Sequence, residues 1–398
     1  MMFTLPIRRL SCNILLALLA AVVASAPRAE APPIRIGMSL SLSGSGGDGQ
    51  AGASGRLNRT GYELWQALVN QRGGILGRKV ELLIRDDQGD PGLTAKIYED
   101  LILKEKVDLL FAPYSSALTL AAAPVIDRHG YPSLVNAAIS EEIWSKGYKN
   151  IFGMLLPSQR IAVGFLAMLS DANINKVALI AGEDSWSVSA REGVKKWAAQ
   201  YNIVLTTVIS VPKATTDFEA IAIKARQSGA EAVLQLDYLE QALQLRRGLK
   251  KAGWSPKAFY NAVGGSHPKY LELLGEEANG TFSTTMWEPR DDLFPESTQF
   301  VKDYTARFGV QPTWQAAAVY ASGQVLERAI QKAGGTNRDR LRKVLLELDM
   351  DTVIGRYTVA PSGIQTKRFP AIFQWQQGRA ELMWPSEART KAPQFGKY

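Results

Sequence analysis

The sequence predicts an α/β protein of two doubly wound parallel-sheet lobes joined by a three-crossover hinge. Three observations lead there. A chain of 398 residues is too long for one compact core. Short apolar runs alternate with amphipathic helical stretches, the rhythm of parallel strands with helices on both faces of the sheet. The stretch from Gly73 to Pro91, GGILGRKVELLIRDDQGDP, ends one helix, builds one strand and opens the next loop.

The elements follow in order. Residues 34–40 alternate and then turn apolar, as a first buried strand does. Residues 41–55 are rich in Gly and Ser and read as a loop. A helix is expected over 58–70, with Leu57, Gly61, Leu64, Trp65 and Leu68 on one face. Gly73-Gly74 ends it, because glycine takes a left-handed backbone at no steric cost. The second strand is 79–85, with Asp86-Asp87 at its carboxyl end. A helix over 94–105 and a strand over 107–111 come next. The alternation continues with strands at 131–134, 176–180, 203–209 and 232–236 and helices at 189–201, 218–227 and 241–252.

Pro157, residues 284–289 and residues 355–361 are the expected passages between lobes. Lobe I then takes residues 34–156 and 287–354, and lobe II residues 157–286 and 355–385. Residues 386–398 form an irregular tail, with Pro393 and Gly396 breaking any pattern.

Composition narrows the function. The net charge of +8 comes from 46 Lys+Arg against 38 Asp+Glu, with no basic run longer than Arg246-Arg247 or Lys250-Lys251, so no nucleic-acid surface is expected. Residues 1–26 read as a signal peptide: Arg8 and Arg9 form its positive end, residues 14–23 its apolar core, and small residues follow. Cleavage is expected after Ala26 or as late as Ala31, which removes Arg8 and Arg9 and lowers the charge to about +6. The apolar core has about 10 residues against the roughly 20 of a membrane span, and no later segment is apolar enough to cross a bilayer. A protein soluble outside the cytoplasm is expected. Cys12, the only cysteine, precedes the apolar core, where a lipid-attachment cysteine would follow it. The mature chain then has no thiol for disulfides, metal or nucleophilic catalysis. His129 and His267 are the only imidazoles and lie far apart in sequence, against a His-rich metal site.

Three motifs bear on chemistry. Gly44-Ser45-Gly46-Gly47-Asp48-Gly49 fits the dinucleotide pattern G-x-G-x-x-G. No helix begins at its third glycine, and Asp86-Asp87 lie about 37 residues on rather than about 20, so a loop over a cleft is the better reading. Tyr114-Ser115-Ser116 follows an apolar strand and opens a helix. Its hydroxyls and free N–H groups suit an anion, although either serine could simply cap the helix. No G-x-S-x-G elbow surrounds them, against a hydrolase serine. Trp186, Tyr238 and Trp287 stand just past three strands, where side chains point into a ligand crevice.

With Ile34-Arg35-Ile36-Gly37, Leu42-Ser43-Gly44, residues 73–78 and 86–91, Asp217-Phe218 and Val353-Ile354-Gly355, the chain resembles the type I periplasmic solute-binding proteins of the branched-chain-amino-acid ABC transport (leucine-binding protein) family. The resemblance spans Ile34 to about Trp375. It implies two lobes that close on a small molecule and deliver it to an inner-membrane ABC permease, acting as a monomer, without cofactor, metal or enzymatic activity. It also implies a ligand carboxylate held by Ser116, with Tyr114, Ser115 and backbone groups around Asn136, Ala137 and Ile139. Amino-acid-binding members hold the α-ammonium with a threonine and an acid. Those positions fall at Ile139 and Val263 here, so a carboxylate lacking the α-ammonium, aromatic or branched in its body, is expected. The readings set against this are an exported sensor of the same fold, a classical leucine/isoleucine/valine-binding protein and an NAD-dependent oxidoreductase.

Overall fold

The computed structural model describes residues 1–2, 31–43, 53–367 and 370–396. The leader with Arg8, Arg9 and Cys12, and the glycine motif at 44–49, lie outside the described residues.

The first lobe is a parallel sheet of order β2-β1-β3-β4-β5, with β1 (Ile34–Leu40), β2 (Val80–Asp86), β3 (Leu109–Phe111), β4 (Ser133–Val135) and β5 (Ile151–Gly153). Alternate residues of buried strands face opposite sides. Ile36, Met38 and Phe111 pack on Tyr62 and Trp65 of α1 (Ala53–Gln71). Leu83 and Leu110 pack on Tyr98 and Leu101 of α2 (Pro91–Leu103) and Ile126 of α3 (Ser116–Arg128). Helix α1 begins earlier than the sequence suggests and ends before Gly73 and Gly74, both at positive φ (97° and 82°). A Cβ on Gly74 would stand 2.0 Å from the Arg78 carbonyl oxygen, so this turn needs glycine.

After β5 the chain passes Pro157 and the short turn Ser158–Arg160 into α4 (Val163–Asp171). The second sheet follows: β6 (Lys176–Gly182), α5 (Ser185–Gln200), β7 (Val204–Val211), α6 (Phe218–Gln227), β8 (Ala232–Leu236), α7 (Leu239–Lys251), β9 (Ala258–Asn261) and β10 (Thr281–Thr285). Helices α4 and α5 cover one face, through Phe165 and Val194 against Leu179 and Leu234. Helices α6 and α7 cover the other, through Phe218 and Leu249 against Ile180 and Val233.

The chain then returns to the first lobe as α8 (Ser297–Phe308), α9 (Trp314–Ala333) and α10 (Arg338–Glu347). Helix α9 lies directly on α1: a Cβ on Gly61 would meet the Ala316 carbonyl oxygen at 2.3 Å, and one on Gly323 the Trp65 ring at 2.3 Å.

Two details differ from expectation. The hairpin β11 (Met350–Thr352) and β12 (Gly355–Tyr357) and the residues up to Gln365 stay with the first lobe. Gly153 donates from its backbone N–H to the Gly363 carbonyl (2.8 Å), and the Tyr357 hydroxyl donates to Leu345 O (3.0 Å). The expected third passage at 355–361 is thus seated against the first sheet, and the chain joins the second only at β13 (Ala371–Gln376). There β13 and β14 (Arg379–Trp384) pair antiparallel on β10, so the second sheet, order β14-β13-β10-β9-β8-β6-β7, is parallel only from β10 to β7. The tail is irregular as expected but tied down: Phe395 stacks on Phe282 at 5.5 Å, and Gly396 donates to Lys257 O.

Candidate functional site

The carboxyl ends of β3 and β4 in the first lobe face those of β6, β8 and β9 in the second across a narrow cleft. The first lobe contributes Tyr114, Ser115, Ser116, Ala137 and Ile139, and the second contributes Trp186, Tyr238 and Val263. Eight of the ten residues expected at the site are therefore brought together.

The two serines divide the roles that their sequence left open. Ser115 is the N-cap of α3, its side chain accepting from the Leu118 N–H, at φ 77° and ψ 151°, a region ordinarily left to glycine. The Ser116 hydroxyl oxygen accepts from the backbone N–H groups of Ile139 and Ser140, both at 3.1 Å. A hydroxyl has two acceptor positions and one hydrogen, so Ser116 keeps its hydrogen for a further acceptor. The Ile139 amide thereby serves Ser116 instead of facing a ligand itself. The first turn of α3 adds free N–H groups and the positive end of its dipole.

On the opposite wall Trp186 and Tyr238 meet edge to face, 5.5 Å apart, at the start of α5 and α7. Val263 precedes the short turn Gly264–Ser266 and offers the cleft only an apolar side chain. Among the described residues, none lining the cleft is charged.

Two expected residues lie elsewhere. Asn136 is fully buried and donates its side-chain amide to the Tyr62 hydroxyl, inside the first lobe. Trp287 is buried edge to face on Phe300 of α8, 5.5 Å away, because the chain has already turned toward the first lobe. The unexpected lining residues are Leu155, Ile161, Thr284 and Met286 from the first two crossovers, Ala262 and Ser266 beside Val263, and Trp314 at the start of α9. Leu155 and Ile161 flank Pro157, and Thr284 and Met286 fall within 284–289, so for these four the signal was the crossovers themselves.

Comparison with known proteins gives this architecture its family. The sequence model for the periplasmic binding protein family matches residues 33–380. The chain belongs to that family. The curated "Leu/Ile/Val-binding protein homolog 8" of Brucella abortus is 26% identical over 363 residues, covering 86% of this chain and 89% of that protein. Among solved structures, the branched-chain amino acid transporter substrate-binding protein LivJ of Streptococcus pneumoniae, in complex with isoleucine, matches with a TM-score of 0.78 and 20% identity. That match covers 88% of this chain and 99% of LivJ. A solute-binding protein of R. palustris in complex with benzoate matches with a TM-score of 0.75 and 17% identity, covering 88% of this chain and 95% of that one.

Two further clusters brace the cleft of this periplasmic binding protein. Asp86 and Asp87, at the carboxyl end of β2, hold the chain leaving β1. Ser39 and Ser41 each donate to Asp87 at 2.6 Å, and the Leu42 N–H donates to Asp86 at 2.9 Å. Glu141, just after β4, accepts from the Ser158 hydroxyl and the Gln159 N–H (2.9 Å each) in the first crossover and from the Ser189 hydroxyl on α5. One carboxylate thus joins the first lobe, a crossover and the second lobe. Among the described residues no cluster of three or more His, Cys, Asp or Glu could hold a metal, and no helix is long and apolar enough to cross a membrane.

Proposed function

We propose that this periplasmic binding protein is the extracytoplasmic substrate-binding component of a branched-chain-amino-acid-type ABC importer, and that its cargo is a small carboxylate without an α-ammonium group. The observation that carries the reading is the pairing of Ser116 with a cleft whose described lining residues are all uncharged. The Ser116 hydroxyl, held by two amides, has its hydrogen to give, and the α3 terminus favours a negative head group. An ammonium enclosed beside Val263 would find no counter-charge among the described lining residues, at a desolvation cost of several kcal/mol. Trp186, Tyr238 and Tyr114 offer rings to an aromatic or branched body.

Residues from both lobes line the cleft, so ligand contacts on each side favour a closed form over an open one. We assign the crossovers as the hinge, the leader as a cleavable signal, and an inner-membrane permease as the partner that receives the cargo from a monomeric protein without cofactor or catalysis. The benzoate complex of the R. palustris relative agrees with an amine-free acid, and the isoleucine complex of LivJ marks the competing choice.

A thermal-shift screen of the mature protein tests this with leucine, isoleucine and valine against benzoate and branched aliphatic acids. A ligand at 100 times its Kd stabilises by about 2.7 kcal/mol. Stabilisation by the amine-free acids alone supports the reading. Strong stabilisation by leucine or its neighbours overturns the ligand class and makes the protein an amino-acid receptor.

A further inference from the structure

The parallel part of the second sheet runs β7-β6-β8-β9-β10, so successive connections leave β6 toward opposite edges. The crevice at the carboxyl ends of β6 and β8 is therefore the switch point at which open α/β sheets bind ligands. A pocket of about 260 Å³ occupies it, separate from the interlobe cleft and, among the described residues, sharing only Tyr238 with it.

Its lining is acidic and rich in acceptors. Asp184 follows β6 and caps α5, accepting from the Trp186 and Ser187 N–H groups and the Ser187 hydroxyl. Asp237 follows β8, is only 4% exposed, and one of its oxygens, Oδ2, has no hydrogen-bond partner. The buried Gln241 Oε1 on α7 also lacks one. Gly182 leaves the space between the two acids open: a Cβ there would stand 3.1 Å from Asp184 Oδ2 and 3.1 Å from Asp237 Oδ1. The two oxygens are therefore no farther apart than twice that distance.

We propose that this pocket is a second binding site, for a small cation held between Asp184 and Asp237 with Gln241 as a further oxygen donor. Two carboxylates and an amide oxygen are the hard donors that suit a hydrated divalent metal, and the same set accepts from a primary ammonium. Burial, and after it the charge of Asp184, pushes the Asp237 carboxyl up to about 8. Lys213, the cationic side chain in the lining, is exposed at the rim. Glu183, Asp184, Lys213 and Tyr238 are the other ionisable groups facing the pocket.

The test is calorimetric and thermal-shift titration of the mature protein, without carboxylate ligand, using Mg²⁺, Ca²⁺ and methylammonium. Tetramethylammonium, which cannot donate, and sodium chloride of matched ionic strength serve as controls. Saturable binding of a divalent metal, or of methylammonium, supports the site and identifies which cation it takes. It should weaken at least tenfold in Asp237→Asn, a variant that removes the ionisable carboxyl and keeps its shape, and in Gly182→Ala, which fills the gap. The absence of saturable binding between about pH 6 and pH 9, or binding unchanged in Asp237→Asn, overturns it and leaves a proton-sharing pair of acids. Because no carboxylate is present, failure here leaves the assignment at Ser116 untouched.

Discussion

Glu141 and Ser189 bind each other in both directions across the cleft. The Ser189 hydroxyl donates to the Glu141 carboxylate, and the Glu141 backbone N–H donates to the Ser189 oxygen at 3.4 Å. One residue follows β4 in the first lobe and the other rides on α5 in the second, so the pair exists only while the lobes are together. Glu141→Ala should weaken ligand binding by about tenfold, the order expected for losing hydrogen bonds to a charged group. Glu141→Gln should fall between it and the wild type. Calorimetric titration gives the affinities, and small-angle scattering should detect a more open unliganded form.

Ser116→Ala removes the donor to the cargo and the acceptor of two buried amides together. Carboxylate affinity should drop by roughly 10- to 100-fold. Ser115→Ala should instead cost about 1 kcal/mol of stability, as a cap does, with a smaller effect on affinity. Comparing melting temperature with Kd for the two variants separates capping from binding.

Val263→Glu places a carboxylate on the wall that lacks charge. The variant should acquire leucine-dependent stabilisation and lose binding of amine-free acids, whose head group it would repel or displace. A thermal-shift screen of both ligand sets checks this. No response to leucine would mean that position 263 does not face the α-carbon of the cargo.

Stability should fall as the pH rises above neutrality. Asp237 is raised from 3.8 to about 8, so the folded state holds its proton where the unfolded chain has lost it, and stability declines with pH through that window. The slope reaches about 1.4 kcal/mol per pH unit for one such group. Glu288, raised by burial to about 7, acts with the same sign up to that pH. His267, lowered by burial to about 4, acts oppositely, since stability is lost as the pH falls from 6.5 toward 4. The opposing contributions overlap in acid and separate above about pH 6.5. Melting temperatures from about pH 6.5 to about pH 9 should therefore decline in the wild type and stay flatter in Asp237→Asn.

Local chemistry made much of the fold legible. Runs such as 232–236 and 218–227 match β8 and α6 to the residue, because Asp217 caps the helix and the strand is buried on both faces. The pairing direction of β13 and β14 was not legible, since two short apolar strands read alike in either orientation. Within the site, Tyr114, Ser116 and Trp186 were legible because each stands where a strand gives way to a helix. Trp287 obeyed the same rule and failed it: β10 ends in a crossover rather than a returning helix, so its aromatic is carried into the first lobe against Phe300. Leu155, Ile161 and Met286 have no distinguishing residue type, and only the path of the crossovers brings them to the cleft.

The near-backbone contact of α1 with α9 at Gly61 and Gly323 sets the order in which the chain can mature. All five strands of the first sheet are complete by Gly153, yet Gly61 and Trp65 do not meet α9 until residues 314–333 emerge, after strands β6 to β10 of the second sheet. Contacts of such sequence separation slow folding and leave greasy surface exposed meanwhile. The first lobe is thus unfinished until most of the second has been made, and α9 is the element that completes it.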